Sequence, residues 1–145
     1  MIALIQRVSS AGVRIGGALH AEIGPGLLAL IGICTDDGSA EVQRILERLL
    51  GYRVFPDTAG RMNRSLRDTG GSLLLVPQFT LAADTRKGTR AGFSTAAPPE
   101  LAARLYDELV ASAQQGHRLV ASGVFGADMQ VQLVNEGPVT FWLES

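Results

Sequence analysis

The sequence predicts a single mixed α/β domain, and three features predict it. Apolar patterns of period two and period 3.6 follow one another along the chain, so strands and helices belong to one unit. Apolar residues fill 46% of the 145 positions, enough for one proper core, and aromatics at 6% make that core aliphatic. No low-complexity tract, block of like charge or solenoid-length repeat divides the chain, so residues 1–145 read as one domain.

The elements follow in order. Residues 1–8, "MIALIQRV", read as a strand. "GVRIGGALHAEI" carries Gly16-Gly17 between two strand-like runs, a hairpin signal. "GLLALIGIC" is continuously apolar but short for a helix, which predicts a central strand covered on both faces. A helix is expected over 39–50, because Val42, Ile45, Leu46, Leu49 and Leu50 form one stripe. Ser39 is the expected cap and Gly51 the expected left-handed stop.

"GGSLLLVPQFTLAAD" reads as another apolar strand, with Pro77 marking a lost ladder partner or an edge. Residues 82–97 are polar and glycine-containing, an exposed loop. The second main helix starts near Pro98-Pro99-Glu100, where proline suits the first turn, and ends near Gly116. Its inner face is read as Leu101, Leu105, Leu109 and Ala113. Three strand-like segments, "RLVASGVFG", "DMQVQLVNEG" and "PVTFWLES", close the chain.

Composition narrows function by exclusion. A formal net charge of −1 argues against broad binding along a nucleic-acid backbone, though not against grasp of one RNA end by a local patch. The local clusters are Arg61, Arg64 and Arg67, then Arg86, Lys87 and Arg90; a solvated face is their bland reading. The single cysteine, Cys34, excludes an internal disulfide and a multi-thiolate zinc site, and its apolar surroundings predict burial rather than nucleophilicity. No signal peptide is evident and no run approaches the ~18 apolar residues of a membrane span, so a soluble cytoplasmic protein is expected.

The familiar catalytic constellations are missing: no G-x-S-x-G elbow, no phosphate loop, no H-E-x-x-H, no dinucleotide fingerprint. His20 and His117 have no metal-binding companion at helical spacing and read as surface or capping residues. What remains is polar residues in unexpected places. If the strand continues through residue 80, Gln78 and Thr80 share a face while Phe79 points away. "NEGPVT", residues 135–140, interrupts an apolar run with what reads first as a corner between two strands.

Taken together, "PQFTL" at 77–81 and "NEGPVT" at 135–140 resemble the two signatures of the D-aminoacyl-tRNA deacylases. The likeness extends over "MIALIQRV", "EIGPGLLALIGI", "RKGTRAGF" and "FGADMQVQLVNEGPVTFWL", nearly the whole chain. Two departures stand out: Pro77 occupies the position of a motif serine, and Ala91 that of a loop proline. A sibling branch that clears L-alanine from the wrong tRNA also begins its motif with Pro-Gln.

The resemblance implies a homodimer of barrel-like subunits with two main helices each, with active sites at the interface. It implies hydrolysis of the ester joining a D-amino acid, or glycine, to the terminal adenosine of tRNA, with no metal or cofactor. Gln78, Phe79, Thr80, Gly137 and Pro138 match the catalytic positions. Gly137-Pro138 is expected to be cis and to enter the partner's pocket, where its carbonyls exclude L side chains. Arg7 matches the residue that orients that pair, and Phe125 and Met129 match positions near the adenosine. Arg86, Lys87 and Arg90 are expected at acceptor-end phosphates. tRNA is thus the implied partner, with neither DNA nor membrane expected; the alternatives are the L-alanine specificity and a non-catalytic RNA- or protein-binding dimer.

Overall fold

A computed structural model describes residues 1–145. The chain begins with β1 (Ile2–Ile15), β2 (Ala18–Ile23) and β3 (Gly26–Gly32), followed by α1 (Ser39–Gly51). A small hairpin of β4 (Phe55–Pro56) and β5 (Met62–Arg64) leads to the single turn α2 (Leu66–Thr69). Next come β6 (Ser72–Pro77), a 3-10 turn over Phe79–Ala82, the long α3 (Pro99–Gly116), β7 (Val120–Ser122) and β8 (Met129–Glu144). The main sheet runs β2-β1-β3-β6-β7, and β8 pairs along the other side of β1. The mixed α/β class and the two main helices match the expectation; α2 is a third, short helix.

The sheet buries both faces by curling. Leu27, Ala29 and Ile31 of β3 and Leu73 and Leu75 of β6 pack under α1 and α3. Leu28, Leu74 and Val76 point the other way, into an interior closed by Val8, Ala11, Val13, Ile23, Met129, Val131 and Leu133. Contacts of β2 with β6 and β7 bring the sheet nearly round into a barrel. β1 serves both cores: Ala3 and Ile5 face the helices, whereas Val8, Ala11 and Val13 face the barrel. That change of parity needs an irregularity, and the ladder to β8 shifts register between Gln6 and Val8 and again between Val8 and Ser10.

Several expectations need correcting. The first strand does not stop at Val8; β1 continues into the Gly16-Gly17 hairpin as one 14-residue strand. Ser39 does not cap α1: Gly38 precedes it, Glu41 Oε2 accepts from the Gly38 N–H at 2.9 Å, and Ser39 Oγ donates to Glu108 on α3. Gly51 is the last helical residue, followed by extended Tyr52, so there is no left-handed stop. On α3 the buried stripe is Ala102, Leu105, Tyr106, Leu109 and Ala113, with Leu101 at its margin. The Tyr106 hydroxyl is buried between the carbonyls of Leu75 at 2.9 Å and Gly123 at 3.2 Å, and burial pushes its pKa up. Cys34 is only half-buried; partial burial and the nearby Asp37 carboxylate raise its thiol pKa.

The ends of β6 and β8 matter most for the site. β7 pairs with β6 only from Leu73 to Leu75, so β6 loses that neighbour before Pro77 and ends there. The chain then tightens into the 3-10 turn instead of continuing as strand. That turn sits directly on β3: a Cβ at Gly32 would come within 2.8 Å of Leu81 Cβ. The last two expected strands are in fact one. Val134 and Asn135 pair with Ser10 and Val8, and Thr140 and Phe141 pair with Gln6 and Ile5, all on the same antiparallel neighbour. Glu136–Val139 are therefore not a corner but a bulge thrown out of a continuous strand.

Candidate active site

The first polar feature is built where strands end. Gln78 and Phe79 leave β6, Phe125 lies on the β7–β8 connection and Met129 opens β8, and together they line one cavity of about 530 Å³. Pro77, Ala97, Pro99 and Ala102 complete an apolar wall, and Asp128 is its only ionisable lining residue. Phe125 lies beside the buried Tyr106 ring, at 6.5 Å between centroids, so α3 supports it from behind. The Val124 N–H donates to Met129 Sδ at 3.4 Å, which folds the connection back on itself. Phe79 is 57% exposed and stacks on Phe93 of the long loop at 5.1 Å. A cavity of this size, mostly apolar with few polar groups, suits a nucleoside-sized ligand.

Thr80 stands apart from this wall. It faces a different cleft, with Cys34, Leu81, Asp84, Arg86 and Trp142. Gln78 Nε2 donates to Thr80 Oγ1 round the 3-10 turn. The two side chains do meet, but through the turn and not through the strand alternation expected from sequence.

The second feature is the bulge. Arg7 Nε donates to the Glu136 carbonyl at 2.9 Å, and its Nη1 donates to the Val54 carbonyl at 2.6 Å. One guanidinium thus ties the bulge to the segment after α1. Asn135 closes the bulge's neck: Oδ1 accepts from Val139 N at 2.7 Å, and Nδ2 donates to Val139 O and to Thr140 Oγ1. Gln6 Nε2 also donates to Thr140 Oγ1 at 3.2 Å. The Gly137-Pro138 peptide is cis, and both residues are exposed. At Gly137 φ is +139°, and an added Cβ would lie 2.7 Å from Val139 Cγ2 and 3.0 Å from Arg7 Nη2. Only glycine fits there without displacement.

The third feature is the loop before α3. Asp84, Arg86, Lys87, Arg90, Gly92 and Ser94 surround a polar cleft of about 500 Å³. Arg86 is held by Asp84, with Nε at 2.9 Å and Nη2 at 2.7 Å from the two carboxylate oxygens. This bidentate pair holds the Asp84 carboxyl well below the usual range. Lys87 and Arg90 have no ion-pair partner, so the cleft's unneutralised charge is theirs.

Within one chain, then, Gln78, Phe79, Phe125 and Met129 converge, while Arg7, Gly137 and Pro138 form a separate projecting unit that lines none of these cavities. The sequence pattern that defines D-Tyr-tRNA(Tyr) deacylase matches residues 4–144. The chain belongs to this family. Members of the D-Tyr-tRNA(Tyr) deacylase family hydrolyse aminoacyl-tRNA. The chain is 64% identical over 144 residues to a D-aminoacyl-tRNA deacylase of Thioalkalivibrio sulfidiphilus, covering 99% of this chain and 97% of that one. It is 60% identical over 145 residues to a D-aminoacyl-tRNA deacylase of Alkalilimnicola ehrlichii, covering 100% of this chain and 97% of the relative.

Among solved structures, the fold is similar to the c-Myc DNA Unwinding Element Binding Protein, with a TM-score of 0.96 at 38% identity over 100% of this chain and 99% of that one. A probable eukaryotic D-amino acid tRNA deacylase shares the fold at a TM-score of 0.87 and 17% identity, over 99% of this chain and 98% of the other. Sequence reasoning missed three parts of this deacylase-family chain's candidate site. Asn135, inside a motif already singled out, is the clamp at the bulge's neck. Asp128 supplies the cavity's charge, and Tyr106 braces its back wall. An asparagine opening a Gly-Pro interruption was the one available signal, since Asx side chains bond nearby backbone. No helix is long and apolar enough to cross a membrane, and no three His, Cys, Asp or Glu side chains are grouped to hold a metal ion.

Proposed function

We propose that this protein hydrolyses the ester of D-aminoacyl-tRNA and of glycyl-tRNA while sparing L-aminoacyl-tRNA, acting as a homodimer in the cytoplasm. The observation that carries the reading is the convergence of Gln78, Phe79, Phe125 and Met129 on one nucleoside-sized cavity in a member of this family. The terminal adenosine occupies that cavity, stacked against Phe125. Water attacks the ester carbonyl, and the products are the free amino acid and the tRNA 3′ end. An aminoacyl ester is already labile, so positioned water and backbone N–H donors to the developing oxyanion carry much of the acceleration. In this reading those donors are the N–H groups of Phe79 and Thr80 on the turn after β6, since the Gln78 N–H donates to the Ile31 carbonyl at 2.7 Å; no strong nucleophile is needed.

The chirality filter is the bulge. Gly137 and Pro138 of one subunit enter the other's cavity, and their carbonyls face the substrate's α-amino group. An L side chain clashes with this backbone, whereas glycine has nothing to clash. Arg7 and Asn135 fix the bulge so that the filter does not yield. Support for the dimer comes from the exposure of Trp142, Val134 and Phe79, at 49%, 56% and 57%, and from β8, whose only strand partner is β1. Lys87 and Arg90, on a cleft that adjoins the one faced by Thr80, hold acceptor-end phosphates.

Deacylation of matched D-tyrosyl-, L-tyrosyl- and glycyl-tRNA by the purified protein, with EDTA present, tests the reading. Release from the D and glycyl substrates alone supports it; equal release from L-tyrosyl-tRNA, or none from any, refutes it. Pro77 lines the cavity, so L-alanyl-tRNA carried on a mismatched tRNA belongs in the same assay. Preference for that substrate would assign the sibling specificity.

A further inference from the structure

Between the end of α1 and the end of α2 the chain carries a surface that ester hydrolysis does not use. Residues 44–69 contain six arginines against three acids, net +3, in a chain whose net charge is −1. All six, Arg44, Arg48, Arg53, Arg61, Arg64 and Arg67, are exposed. Only Arg44 makes an ion pair, with Glu41. Arg44, Arg48, Arg67 and Tyr52, with Glu47 and Glu144, line an open polar cleft of about 540 Å³, where the Arg48 guanidinium lies 5.9 Å from the Tyr52 ring centroid.

The segment's own acids form no ion pair with these arginines, although Glu47 lines their cleft and the Asp68 carboxylate lies in the field of Arg64 and Arg53. Asp57 accepts from Ala59 N, Arg61 N and Asn63 Nδ2, at 2.8 to 2.9 Å. Asp68 accepts from Ser65 N and Ser65 Oγ, at 2.8 and 2.7 Å. Both carboxylates therefore brace the small hairpin and α2, giving the arginines a fixed scaffold. Arg48 and Arg64 each donate to one backbone carbonyl, of Glu144 and Asp68, but every one of the six except Arg44 lacks a carboxylate partner, and such fork-shaped donors match a chain of phosphodiesters. The surface also adjoins the filter, because Arg7 joins the Glu136 carbonyl of the bulge to the carbonyl of Val54, next to Arg53.

We infer that this arginine surface grips the phosphate backbone of the substrate tRNA away from its aminoacylated end. The inference rests on the deacylase reading. Where the bulge of one subunit enters its partner's cavity, the arginines beside that bulge flank the cavity's mouth. The subunit that supplies the filter then also holds the body of the tRNA whose end the other subunit hydrolyses.

The test uses the full-length enzyme with Arg53, Arg61 and Arg67 each changed to glutamine, and a control with Arg104→Gln on α3 and Arg118→Gln just after it. Uncharged tRNA binding is measured against salt, and hydrolysis is measured on D-tyrosyl-tRNA and on D-tyrosyl-adenosine. The triple variant should bind tRNA roughly tenfold more weakly at low salt, with a log–log salt slope reduced by about 3. Its kcat/KM should fall in step on tRNA and stay unchanged on D-tyrosyl-adenosine, and the control should match wild type. Unchanged tRNA binding, an equal loss in the control, or an equal loss on both substrates would overturn the inference. If a duplex DNA of similar length bound as tightly and lost as much, the surface would be a general polyanion site, which also overturns it. Should the wild type hydrolyse neither ester, the deacylase reading fails, while the binding arm still decides whether the surface holds tRNA.

Discussion

The cavity and the bulge are made by different physics. The cavity is a product of packing: β6 ends at Pro77, a 3-10 turn seats on Gly32, and α3 supports Phe125 through Tyr106. The bulge's one apolar anchor is Val139, which packs against the core under the helices; its exposed tip is held by side-chain hydrogen bonds from Arg7, Asn135 and Gln6 to its backbone and to Thr140. A packed wall can shift slightly and still bind. A projecting backbone segment clamped by a few polar groups has one useful position. Changes at the bulge should therefore act on rate and selectivity, and changes at the cavity on affinity.

The sharpest way to break this contrast is Gly137→Ala. Its Cβ would meet Val139 and Arg7 in a backbone conformation that L residues rarely adopt. Displacing the bulge by about 1 Å should lower kcat on the order of 100-fold, with KM and thermal midpoint nearly unchanged. Steady-state kinetics beside a thermal melt check it, and a loss confined to KM would count against a clamped filter. Phe125→Ala is the opposite case: losing one base–aromatic stack, about 2 kcal/mol, should raise KM roughly 30-fold with a smaller change in kcat.

Arg7→Lys sharpens the comparison further. A lysine reaches one carbonyl and lacks the fork that spans Glu136 and Val54, so kcat and D-over-L preference should fall by about tenfold. Parallel assays with D- and L-tyrosyl-tRNA measure both. Thr80→Ala should do least. Thr80 lies outside the cavity and no base is hydrogen-bonded to it, so a loss of roughly threefold or less is expected. Collapse of activity in a folded Thr80→Ala protein would restore a nucleophilic threonine.

The two regions also differ in how far the sequence revealed them. The bulge is contiguous, and its Asn-x-Gly-Pro pattern was legible, although its geometry was not. Identical local signals mark a reversing corner and a strand that bulges, and only the shared pairing of Val134 and Phe141 with β1 separates them. The cavity joins residues 78–79 to 125–129, which no local pattern connects. The strand reading of Gln78 and Thr80 failed because tight seating on β3 overrode a period-two pattern. The helices were the most legible parts, since their apolar stripes are long; their caps were not, because Gly38 and Tyr52 carry no side-chain signal of a boundary.

The central claim is that the bulge of one subunit completes the cavity of another, and hybrid dimers test it most directly. Gly137→Ala damages only the bulge and Phe125→Ala only the cavity. Assayed at a substrate concentration below KM, each homodimer should be nearly inactive. Unfolded together and refolded, the two chains form hybrids in which one site joins an intact bulge to an intact cavity. Deacylation of D-tyrosyl-tRNA should then return to about a quarter of the wild-type level, because random pairing leaves one site in four whole. Native mass spectrometry reports the hybrid fraction. Hybrids that form in that proportion yet remain as inactive as their parents would contradict the shared site.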